Sequence, residues 1–177
     1  MDTFAGKYVA FVYGDAVPDT GDDIGLVFTG KEVADAIPGF QRRTQGYIGL
    51  VDASPSVVVQ PAKPNSNFDE ILARSLMEMD STAELTPFGE SGLYRPVNDE
   101  KTFVLSDKDG GWQRADLLPP HCRISNTQDG GTYESCLFTL RREGLEYSFS
   151  IKGENIAFAD KFVDFVQSRL SDWQVAD

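Results

Sequence analysis

Cys122-Arg-Ile-Ser-Asn-Thr127, Gln128-Asp-Gly130 and Gly131-Thr-Tyr-Glu-Ser-Cys136-Leu-Phe-Thr-Leu140 form the stretch that decides the fold. Two strand-forming runs flank a three-residue connection. Such a connection is usually a type I turn followed by a left-handed residue, the position that Gly130 fills at least cost. Pairing Thr127 with Gly131 across the turn sets Cys122 directly opposite Cys136. Opposed positions on antiparallel strands bring their Cα atoms to about 4.5–5.5 Å, within reach of a disulfide. The alternative is two ordinary buried thiols on neighbouring strands. A bridge here closes a short loop, adds roughly 3 kcal/mol in chain-entropy terms, and points to an oxidising compartment such as a periplasm or the extracellular space.

Downstream of the hairpin, Glu143-Gly144 reads as another turn, and Leu145-Glu-Tyr-Ser-Phe-Ser-Ile151 alternates as a third strand. Asn155 is the expected cap of a final helix whose Phe158, Phe162, Phe165, Val166, Leu170 and Trp173 make one apolar stripe against the sheet. Upstream, Leu117-Leu-Pro-Pro120 leads into the hairpin, and short strands are expected at Gly92–Arg95 and Thr102–Leu105.

In the N-terminal part, Lys7–Tyr13, Ile24–Phe28, Gly46–Val51 and Ser56–Gln60 read as strands. Thr29-Gly-Lys-Glu32 has capping-box spacing, so a short helix is expected before Pro38-Gly39. Asn67 caps a second helix carrying Phe68, Ile71, Leu72, Ser75, Leu76 and Met79 on one stripe, which reads as core. Pro61-Ala-Lys-Pro-Asn-Ser66 is the best linker, dividing an N-terminal strand-and-helix part from the C-terminal strands and terminal helix. The expected architecture is a single α+β domain over 1–177, mostly antiparallel strands packed against two or three helices, the longest at the C-terminus.

Composition narrows the function classes. With 16 basic against 28 acidic residues the net charge is -12, which disfavours nucleic-acid phosphates and anionic membranes and favours a basic partner. No run of apolar residues is long enough for a transmembrane helix. The opening Met1–Lys7 has neither a basic n-region nor an apolar h-region, so it does not read as a signal peptide. Periplasmic residence is expected if Met1 precedes a signal-stripped mature sequence, and cytoplasmic residence otherwise.

Catalytic signatures are scarce. The one histidine, His121, neighbours Cys122 and by strand alternation faces the other way, so it makes a poor general base. A zinc site lacks ligands once the two cysteines pair. Asp19-Thr20-Gly21 matches the aspartic-protease tripeptide, but Pro18 and Asp22 flank it where an apolar strand residue and a small residue are expected, and Asp107–Gly111 reads as a turn rather than a calcium loop. No cofactor and no enzyme activity are expected. Asp15, Asp19, Asp22 and Asp23 cluster between two strands, where they form either a solvated loop or an acidic probe for a basic cleft on a partner. An enzyme using Asp19 or Asp22 in acid–base or metal chemistry is a weaker third possibility.

Tyr94-Arg95, Phe103-Val-Leu-Ser106, the pair Cys122 and Cys136, Gly144-Leu-Glu-Tyr-Ser-Phe149 and the terminal helix Asn155–Trp173 follow one another in an order that resembles periplasmic immunity proteins of bacterial type VI secretion effectors, particularly those guarding against lipase toxins. The resemblance is confined to the C-terminal part of the chain. It implies a non-catalytic inhibitor that binds a cognate secreted toxin and blocks its active site. The alternative is a periplasmic or surface domain, structural or ligand-binding, without a toxin partner.

Overall fold

The computed structural model describes residues 23–46, 49–63, 67–78, 84–87, 94–96, 102–104, 114–126 and 132–172. Strands β8 (His121–Asn126) and β9 (Thr132–Arg142) form the expected hairpin arms, and Cys122 pairs with Cys136 in a ladder that continues to Asn126 opposite Thr132. The cysteines are joined in a disulfide with Cα atoms 3.9 Å apart, closer than the sequence count suggested. The turn residues 127–131, Gly130 included, lie outside the described residues, as does the strand expected at Lys7–Tyr13.

Strand β10 (Leu145–Lys152) lies beside β9 and also pairs with β4 (Ser56–Pro61), which pairs with β1 (Ile24–Val27). With β7 (Thr102–Val104) on the far side of β8, the order is β1-β4-β10-β9-β8-β7, six strands joined by antiparallel pairings throughout. Segments on both sides of the 61–66 linker therefore share one sheet. Two small antiparallel ribbons stand apart from it: β2 (Arg43–Gly46) with β3 (Gly49–Asp52), and β5 (Leu85–Pro87) with β6 (Tyr94–Pro96). The first ribbon replaces the single strand expected over Gly46–Val51; Gly46 and Gly49 form its closing pair, so the glycines divide the run rather than sit within it.

Local chemistry sets the joints. The β9–β10 connection is the two residues Glu143 and Gly144, both at positive φ (52° and 76°), the left-handed pair that matches the twist of the flanking strands. Before β8, Leu117 bridges Leu140 while His121 pairs with Leu137, so one extra residue is taken up around Pro119-Pro120 and the strand is offset there.

Helix α1 (Gly30–Ala36) begins with the capping box read from the sequence: the Thr29 hydroxyl accepts from the Glu32 amide, and the Thr29 amide donates to the Glu32 carboxylate at 2.9 Å. That backbone hydrogen bond, followed by the one from the Thr29 hydroxyl, holds the Glu32 carboxyl below its ordinary pKa. The terminal helix departs from expectation. Gly153–Phe158 is a 3-10 helix and the α-helix α3 spans Ala159–Asp172, so Asn155 is not its cap. Asn155 is instead almost fully buried; its carboxamide accepts from the Gln41 amide at 2.6 Å and donates to the Gln41 carbonyl at 2.9 Å. The side chain copies a strand's pairing pattern and pins the loop after α1 to the 3-10 turn. Close by, Gly39 sits at φ +92°, and a Cβ there would stand 3.0 Å from Cζ of Phe158.

α1, the 3-10 turn and α3 cover one face of the sheet. Their Val33, Ile37, Ile156, Phe162, Val163 and Val166 meet Leu26, Val57, Val59, Phe138, Tyr147 and Phe149 in one core, which also contains the disulfide. Phe162 is fully enclosed, with ring centroids 5.2 Å from Phe149 and 6.2 Å from Phe28. Trp173, the expected end of the stripe, lies outside the described residues. No described helix is long and apolar enough to cross a membrane.

Candidate functional site: the open face of the sheet

Strand alternation sends every second residue of β1, β4, β10, β9 and β8 to the face that α1 and α3 leave uncovered. Register aligns these residues in rows. One row runs Gly25, Val58, Ser148, Thr139; the next includes Val27, Ser150, Leu137 and His121; Lys152, Ser135 and Arg123 follow. Val27 is 54% exposed, Val58 41% and Leu137 55%, the large hydrophobic side chains that stay in solvent among the described residues. A Cβ placed on Gly25 would meet no atom within 4 Å, so this part of the face is bare. The hydroxyls between the aliphatics are paired across strands, Ser135 with Ser150 at 2.8 Å and Thr139 with Ser148 at 3.3 Å. They thus present an already hydrogen-bonded, easily dehydrated surface.

Helix α2 (Phe68–Glu78) borders one end of this face. The Arg141 guanidinium, on the open side of β9, stacks 4.0 Å over the Phe68 ring, donates to Glu146 at 3.1 Å and lies 3.6 Å from Asp69. Gln60 donates to the other Glu146 oxygen at 2.8 Å, so this mostly buried carboxylate is held from both neighbouring strands. Phe68 is buried as expected, but Ile71, Leu72 and Ser75 are only half-buried and none of the four joins the main core. Phe68, at the start of the α2 stripe, packs against a cation on the sheet's open side rather than in the main core.

A second polar cluster lies where α3 meets the end of β9. Arg114 bridges Asp116 at 2.9 Å and Asp160 at 2.7 Å, while Arg142 reaches Asp160 at 3.4 Å and also bonds Asp164. The hydrogen bond from Arg114 holds the Asp116 carboxyl below its ordinary pKa, against the opposing effect of burial. Every charge in this cluster has an opposite neighbour, which suits a clamp that seats α3 on the sheet.

Of the residues singled out in the sequence, Asp15, Asp19 and Asp22 lie outside the described residues; Asp23 is exposed and immediately precedes edge strand β1. His121 is exposed and Cys122 buried, as alternation required. Glu134 places a carboxylate oxygen within 4.8 Å of the cysteine sulfurs, but sulfurs bonded to each other do not ligate a metal, and with the disulfide intact this group is no ion site. Val27, Val58 and Leu137 were not singled out by the sequence. Their signal was there in Val57-Val58-Val59 and Cys136-Leu137-Phe138, where apolar residues occupy both parities of a strand.

What the open face can do chemically is bind: it offers aliphatic contact, satisfied hydroxyls and a basic far end at Arg123 and Lys152. Comparison of the chain with protein-family profiles, with curated proteins and with solved structures finds no match.

Proposed function

We propose that this chain is a non-catalytic immunity protein that binds a cognate secreted toxin and occludes its active site, acting in the periplasm. The observation that carries this reading is the uncovered sheet face with Val27, Val58 and Leu137 about half exposed. Aliphatic side chains aligned on a rigid sheet and flanked by paired hydroxyls are what a partner surface dehydrates well. The disulfide fits an oxidising compartment, and the C-terminal resemblance to immunity proteins of type VI effectors supplies the partner class. Asp23 is exposed just before edge strand β1, and the sequence carries Asp15, Asp19 and Asp22 shortly ahead of it; this acidic charge matches a toxin with a basic cleft.

The test is co-expression in the bacterial periplasm with the product of the gene immediately upstream of this one. Restored growth together with a one-to-one complex is expected. Growth arrest that the chain does not relieve removes the immunity reading, and a complex without growth arrest in the absence of the chain moves the protein to the class of binding domains without a toxin partner. Within a confirmed complex, replacing Asp15, Asp19, Asp22 and Asp23 by Asn should weaken binding and flatten its salt dependence. Unchanged affinity would remove the acidic segment from the interface.

A further inference from the structure

We propose that Cys122, Cys136 and Glu134, once the disulfide is reduced, form a site for a thiophilic divalent cation, Zn²⁺ being the expected ion. The inference does not rest on the toxin reading. Glu134 precedes Cys136 by two residues on β9, so both side chains project from the same face, and the β8 register brings Cys122 across to them. The two sulfurs and a Glu134 carboxylate oxygen already lie within 4.8 Å of one another. In a tetrahedral zinc site, with bonds of about 2.3 Å to sulfur and 2.0–2.2 Å to oxygen, ligand atoms stand roughly 3.3–3.8 Å apart. Small side-chain rotations therefore suffice once the sulfurs separate.

The two thiols supply the negative charge the ion needs once they lose their protons. Both cysteines are closed to solvent and one Glu134 oxygen is buried with them. A divalent ion that displaces both thiol protons leaves the net charge of the site unchanged, its two positive charges balanced by the two thiolates, with the Glu134 carboxylate beside them as third ligand. Sulfur ligands select a soft or borderline ion over Ca²⁺ or Mg²⁺. His121 turns to the opposite face and is not a ligand, so the described residues supply three.

The chemistry balances with a dithiol as reductant. Its two sulfurs give up two electrons and two protons, becoming a disulfide, while Cys122 and Cys136 each gain one hydrogen. Zn²⁺ then releases two protons as it binds the two thiolates. In either state β8 stays tied to β9, by a covalent bond under oxidising conditions and by the ion under reducing ones.

The experiment is a zinc titration of the full chain against a competing chromophoric chelator, with and without a phosphine reductant, which takes up oxygen from water as it reduces the disulfide. The reduced chain should bind one Zn²⁺ and the oxidised chain none. Glu134→Gln, which keeps the side chain's shape, should bind at least tenfold more weakly, and Cys122→Ser should not bind. Circular dichroism covers loss of folding: if the reduced chain unfolds without metal, Zn²⁺ should restore its spectrum. Equal zinc uptake by the oxidised and reduced chains, or full affinity in Glu134→Gln, overturns the proposal.

Discussion

The two faces of the sheet are built by the same strands and obey opposite rules. On the covered face β9 and β10 present Phe138, Leu140, Tyr147, Phe149 and Ile151, all buried against α3 and the 3-10 turn. On the open face the alternate positions are Ser135, Leu137, Thr139, Ser148 and Ser150. Volume is concentrated on one side, and between the Arg141–Glu146 pair at one end and Arg123 and Lys152 at the other the open side keeps hydroxyls with three aliphatics left in solvent. A fold whose stability resides on one face leaves the other free to change without unfolding. The open face is therefore where partner specificity can be written.

The sharpest way to break that division is at its most enclosed aromatic. Phe162→Ala empties a site walled by Phe28, Phe149 and Phe165 and should cost about 3–5 kcal/mol, read as a fall in the urea midpoint at unchanged slope. Next comes Asn155→Ala, which strands the Gln41 amide and carbonyl in a part-buried setting and should cost about 2–3 kcal/mol in the same measurement. Gly39→Ala follows at about 1–2 kcal/mol, since it forces a side chain into a left-handed conformation and against the Phe158 ring. If Asn155→Ala proved neutral, the loop after α1 would not be part of the packed layer.

Polar contacts at the α3 clamp should matter less. The Asp116 carboxyl is held below its ordinary pKa in the folded state by Arg114, with Arg142 adding to it. A lowered folded-state value means the ionised form is favoured by folding. Its contribution is complete above the unfolded aspartate value of about 3.9 and disappears as the pH falls through the lower folded value. Asp116 is 43% exposed, so screening keeps the effect under about 1 kcal/mol. Unfolding midpoints at pH 7 and pH 3 should differ less in Asp116→Asn than in the parent chain. An identical difference would mean that other carboxylates carry the acid response.

How much of this was legible beforehand depends on sequence distance. The opposed cysteines, the Thr29–Glu32 capping box and the Glu143-Gly144 turn are settled by residues no more than 14 positions apart, and the sequence displays them directly. The α+β class follows from the same local patterns. Asn155 was misread because its partner, Gln41, lies 114 positions away, and an asparagine ahead of a helical stripe is locally indistinguishable from a cap. The β4–β10 pairing also spans a long stretch of sequence, 86 positions between Gln60 and Glu146, so nothing local announced that the linker at 61–66 connects two parts of one sheet. The open face was hidden for a different reason. Val57-Val58-Val59 is apolar on both parities, and periodicity alone cannot tell which of two apolar faces remains uncovered.

The smallest expected effect on stability tests the comparison most directly, because it uses two adjacent residues. Leu137 and Phe138 share a strand and differ only in the side to which they point; one is 55% exposed and the other 1%. Leu137→Thr keeps a strand-forming residue and removes a contact that the folded chain alone hardly makes, so stability should change by no more than about 0.5 kcal/mol. Phe138→Thr, one position later, loses its stacking on Phe149 at 5.4 Å and places a hydroxyl in the core, and should cost about 3 kcal/mol or more. Binding should reverse that ranking. In the proposed complex with a toxin, Leu137→Thr, especially combined with Val58→Thr, should raise Kd by at least about tenfold, a loss of about 1.4 kcal/mol. A double variant that binds as tightly as the parent would show the open face to be ordinary surface and move the search for the partner site elsewhere on the chain.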